Sequence, residues 1–113
     1  MAFLHIVILD DAKNEVASIS INSQTHQNLI QVASPMTRYP NIERLQDFYK
    51  DTKFELIEIN DLEHEIVQLR SVVESVGSYP SEIKNNILKF LQDFENQCVM
   101  ARNLNLPIYC FSD

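Results

Sequence analysis

The sequence predicts an α+β fold: a small, mostly antiparallel or mixed sheet of about four strands with three to four helices packed on it, in a single domain over residues 1–113. The expectation rests on a β-branched run that opens the chain, two apolar stripes of helical period in its second half, and a short apolar segment after the second stripe. Phe3, Leu4, Ile6, Val7, Ile8 and Leu9 form the opening run, as expected of a central strand covered on both faces. Asp10, Asp11, Lys13 and Asn14 supply turn chemistry. Val16, Ala17, Ile19 and Ile21 then alternate in part with Ser18, Ser20 and Asn22, so the second strand pairs with the first as a hairpin. Residues 24–33 fit a helix or a third strand. Leu29, Val32 and Ala33 share one helical face and Ser23 is placed to cap it, which favours a helix from about Gln24 to Ala33.

Pro35 and Pro40 make residues 34–40 a loop. Asn41 is placed to cap a helix carrying Ile42, Leu45, Phe48 and Tyr49 on one face, and Phe54 to Ile59 reads as a compact strand. Asn60 and Glu63 have the spacing of a capping box, opening a helix with Leu62, Ile66, Leu69, Val73 and Val76 in one stripe. Gly77 follows directly, where a left-handed terminator belongs. Ser81 starts the longest helix, lined by Ile83, Ile87, Leu91, Phe94, Cys98 and Ala101. Asn103, Asn105 and Pro107 stop it before a last strand from Ile108 to Phe111.

Composition removes several classes of machinery. A single glycine cannot build a phosphate-cradling loop or a dinucleotide fingerprint. Sixteen acids against nine bases give a net charge of −7, which repels phosphate backbones and suits cationic partners, so no nucleic acid is expected as a ligand. The opening apolar run ends at Asp10 and Asp11, too short to span a bilayer and lacking the basic start of a secretion signal. The expectation is a cytoplasmic protein with no membrane partner. Cys98 and Cys110 form no C-x-x-C pair, and Gln68 stands where a zinc helix beginning at His64-Glu65 needs its second histidine. No metal, cofactor or catalytic constellation is expected.

Two features are candidates for partner binding. Glu55, Glu58, Asp61, Glu63 and Glu65 lie within Phe54–Leu69, a stretch without a base, and supply −5 of the −7. They form either a negative patch where strand meets helix or a solvated helix start complementing the macrodipole. The second candidate is the proline-bracketed loop with Arg38 and Tyr39, residue types enriched at interface hot spots. Its alternative role is a plain connector in which Arg38 pairs with a helix acid.

The loop Ser34-Pro35-Met36-Thr37-Arg38-Tyr39-Pro40 leading into Arg44-Leu45-Gln46-Asp47-Phe48-Tyr49, together with the long final helix running out into Leu104 to Phe111, resembles bacterial immunity proteins of polymorphic or contact-dependent toxin systems. The resemblance covers about the C-terminal two-thirds of the chain and carries no binding residue over to a numbered position. It implies a cytosolic, non-catalytic protein of contact-dependent growth inhibition. Its partner would be a cognate toxin domain, often a basic nuclease, blocked at or beside the active site. A small dimeric regulatory or scaffold protein and, less favoured, a small enzyme using Cys98 or a carboxylate pair remain as alternatives.

Overall fold

Asp10 sets the first reversal of the chain. Its Oδ1 accepts from Ala12 N and Asn14 N at 2.9 and 2.8 Å, and Lys13 takes a left-handed φ of 66°. This turn joins β1 (Phe3–Leu9) to β2 (Glu15–Asn22) as the expected antiparallel hairpin. The computed structural model describes residues 2–113. Beyond the hairpin come α1 (Ser23–Ala33), a 3-10 turn (Met36–Arg38), α2 (Pro40–Glu43), β3 (Thr52–Phe54), α3 (Leu56–Ser75), α4 (Ser81–Leu104) and β4 (Ile108–Ser112). The sheet order is β2-β1-β4-β3 and every pairing is antiparallel, so the chain is α+β as expected.

Strand register decides which side chains meet the helices. Leu4, Ile6 and Ile8 lie opposite Ile21, Ile19 and Ala17 on one side and Ser112, Cys110 and Ile108 on the other. These positions share one face, because residues directly opposite in a ladder point the same way. That face joins the core with Phe54, Ile59, Leu62, Ile66, Leu69, Val73, Ile87, Leu91, Phe94 and Cys98. The other face carries Phe3, His5, Val7, Tyr109 and Phe111, of which only Val7 is buried. β1 is therefore central but covered by helices on one side only, a correction to the two-sided expectation.

Residues 24–33 are helical. Asn22 rather than Ser23 caps α1, its Oδ1 accepting from Thr25 N at 2.8 Å, and Leu29 and Ala33 are buried with His26. Other boundaries move. The expected helix after Asn41 is the single turn of α2, after which Leu45 and Phe48 stay in the core while Tyr49 points out at 71% exposure. The expected strand Phe54–Ile59 is β3 ending at Phe54, followed at once by α3. Glu55 and Glu58 form the capping box, so the helix starts a turn before the Asn60–Glu63 position, and Ile59 extends the apolar stripe back by that turn.

Gly77 is not the left-handed terminator. No glycine has positive φ; α3 ends at an extended Val76, and Lys84 Nζ donates to the carbonyls of Glu74 and Val76 at 2.7 and 3.0 Å. The left-handed cap belongs to α4, where Asn105 has φ 56° and Leu106 N donates back to Ala101 O. Between α3 and α4, Arg70 pairs with Glu95 towards one end and Arg102 with Glu63 towards the other.

Candidate partner-binding surface

The five acids of the strand-helix junction do not share one open face. Glu65 is 7% exposed and points inward. Its carboxylate accepts from Asn41 N at 2.8 Å, Asn41 Nδ2 at 2.7 Å and Ile42 N at 3.1 Å. Those backbone donors belong to the first turn of α2, which its own helix cannot satisfy, so Glu65 ties α2 to α3. Glu58 accepts from Arg44 Nη1 at 2.7 Å, Glu55 lies 3.2 Å from Lys53 Nζ, and Glu63 pairs with Arg102. Asp61 is exposed and forms no salt bridge among the described residues. Three bases from outside the acid-only stretch thus offset much of its charge.

The proline-bracketed loop also divides. Tyr39 is 5% exposed and belongs to the core, a correction to its place among surface residues. Arg38 is exposed and makes no salt bridge among the described residues, so it does not pair with a helix acid.

The uncompensated charge near these elements sits in the connection from α2 to β3. Glu43 at the end of α2 and Asp47 and Asp51 in the connection flank exposed Tyr49 in sequence, and none of the three forms a salt bridge among the described residues. The segment is held from beneath. Buried His26 donates through Nε2 to Leu45 O at 2.6 Å, Phe48 packs edge-on against His26 with ring centroids 5.1 Å apart, and Tyr49 packs edge-on against Phe48 at 5.2 Å. Asp47 Oδ1 accepts from Tyr49 N at 3.0 Å, and Thr52 Oγ1 donates to Arg44 O at 3.2 Å. Arg44 lies 4.6 Å from the Phe54 ring centroid while donating to Lys53 O and Glu58. Tyr49 is thereby held at the surface in a segment that carries three exposed carboxylates, with Lys50 as the one base of the loop not used by Glu58.

This arrangement can bind a cationic surface: carboxylates meet its charges and the ring supplies apolar contact at low entropic cost. The helical reading of residues 41–49 hid it, because on a continuous helix Tyr49 falls on the face of Ile42 and Leu45. The visible signal was the density of Asp47, Tyr49 and Asp51 around buried Phe48.

Cys98 and Cys110 are free and buried; burial, with Glu63 adding repulsion, pushes the Cys98 thiol up to about 12, and burial raises Cys110 as well. Among the described residues no three His, Cys, Asp or Glu side chains converge as a metal site, and no helix is long and apolar enough to cross a membrane. No family profile, characterised protein or solved structure matches the chain.

Proposed function

We propose that the chain is a non-catalytic binding protein that neutralises a cognate bacterial toxin, a basic nuclease-type effector, by covering its active site or an adjacent surface. The observation that carries this reading is Tyr49, 71% exposed and held edge-on against buried Phe48 in a segment that also carries the exposed acids Glu43, Asp47 and Asp51. Its ordering precedes any encounter, so binding loses little conformational entropy there. The net charge of −7 speeds approach to a basic domain, and the three carboxylates fix orientation. Asp61 and Arg38 are exposed and form no salt bridge among the described residues, so both are open to a partner. Glu55, Glu58 and Glu63 contribute only the field left after their own cations, and Glu65 acts by fixing α2.

Co-purification with the toxin domain encoded by the neighbouring gene, followed by calorimetry, tests the reading. Tyr49→Ala should weaken the complex about 30-fold, equivalent to about 2 kcal/mol at a hot-spot tyrosine. A chain that neither captures that domain nor protects cells from it contradicts the proposal.

A further inference from the structure

The two edges of the sheet differ in a way that points to a partner. β3, one edge, is three residues long and carries Lys53, both devices that discourage another strand from adding to it. β2, the other edge, runs eight residues from Glu15 to Asn22 and pairs only with β1. No other backbone group among the described residues bonds to its outer side over Val16–Ile21. The bulge in the hairpin lies at Ile8/Leu9, beside the turn, so the remainder of the edge is regular. Val16–Asn22 contains no charge, no proline and no glycine, the residues by which edges are normally protected.

A second observation joins the first. The charge-free stretch continues through α1 to Thr37, in a chain that is 22% charged. Beneath the sheet, Ala17 and Ile19 remain half-buried although they face the core, whereas Ile6 and Ile8 beside them are 0% exposed. Depletion of charge with incomplete cover of apolar side chains describes the centre of an interface. For a chain of net charge −7, it is also where a second copy can approach with least repulsion.

We propose that β2 is the interface of a two-fold symmetric dimer, in which two copies of the strand pair antiparallel and join their sheets into one of eight strands. The sequence of β2 is self-complementary in that geometry. With Ile19 opposite the partner's Ile19, Ser18 meets the partner's Ser20 and Ala17 meets the partner's Ile21. Apolar side chains then face each other on the helix side and hydroxyls on the open side. A one-residue slip would place isoleucine against serine, so the pattern excludes odd slips and keeps apolar and hydroxyl side chains on separate faces.

Sedimentation of the full chain over a range of concentrations, with circular dichroism as the check of folding, tests this. Wild type should move from one chain to twice that mass as concentration rises. Ser18→Lys with Ser20→Lys, both on exposed positions of the open face, puts lysines opposite lysines in the proposed register and should hold the chain monomeric. Ser18→Glu with Ser20→Glu should do the same, and an equimolar mixture of the two variants should restore the doubled mass as a heterodimer. Hydrogen exchange of wild type gives a reading independent of the variants: backbone amides of β2 should exchange more slowly at high concentration. A wild-type chain that stays monomeric throughout overturns the proposal and leaves the edge to a strand of a different protein. A doubled mass that persists in both charge variants, a mixture that stays monomeric, or exchange in β2 that ignores concentration also overturns it.

Discussion

Removing the Glu65 carboxylate leaves Asn41 N–H, the Asn41 side-chain amide and Ile42 N–H without their acceptor at a site from which water is largely excluded. Glu65→Ala should cost about 2–3 kcal/mol, and Glu65→Gln, which keeps one acceptor oxygen, about half of that, measured by urea unfolding. An unchanged midpoint in Glu65→Ala would show that α2 needs no anchor on α3. The buried thiols make a second test at this scale. In the unfolded chain a thiol ionises near about pH 8.5, whereas folded Cys98 keeps its proton to about 12, so between those values the unfolded state binds fewer protons. The contribution is intact below about pH 8.5 and falls as pH rises, by at most about 1.4 kcal/mol per pH unit for each thiol. Cys98→Ala with Cys110→Ala should lower stability at neutral pH by leaving cavities yet flatten its alkaline decline. An equally steep decline would exclude the thiols as its cause.

At the scale of elements, helix ends rather than helix bodies separated the sequence expectation from the structure. The stripes through Leu62–Val73 and Ile87–Ala101 were legible because side chains recurring every three or four residues must share a face. The start of α3 was not. Leu56, Ile57 and Ile59 also fit a buried strand, and only the reciprocal bonds of Glu55 and Glu58 resolve the ambiguity. Glu58→Ala removes both that cap and the Arg44 pair, and should destabilise by about 1–2 kcal/mol. The single glycine misled for a related reason: a glycine after an apolar stripe usually ends a helix in left-handed geometry, but here Lys84 serves the terminal carbonyls. A Cβ at Gly77 would meet nothing within 4 Å, so Gly77→Ala should be neutral or stabilise by about 0.5 kcal/mol. Asn105, which does adopt the left-handed cap, should lose about 1 kcal/mol when changed to alanine and nothing when changed to glycine. Thermal melts of the three variants decide between these assignments.

Across the whole molecule, charge was legible as a sum and misplaced as a pattern. The −7 follows from composition, but Arg44 and Arg102 reach Glu58 and Glu63 through tertiary contacts that no local spacing reveals, while Lys53 pairs with Glu55 two residues on. Glu43, Asp47 and Asp51 form no ion pair among the described residues, and Tyr49, near them in sequence, points out because α2 is a single turn. A surface of this kind binds through fixed aromatic contact and gains its encounter rate from charge, two contributions that respond differently to salt. Asp47→Lys with Asp51→Lys should therefore slow association with a basic partner and flatten its salt dependence, while Tyr49→Ala should mainly speed dissociation. The most direct measurement is the association and dissociation rate of the proposed basic toxin partner with wild type, Tyr49→Ala and the Asp47→Lys/Asp51→Lys pair across ionic strengths. Neutralisation through this loop requires faster dissociation in the first variant and slower, less salt-sensitive association in the second. Rates indistinguishable from wild type in both variants would contradict it.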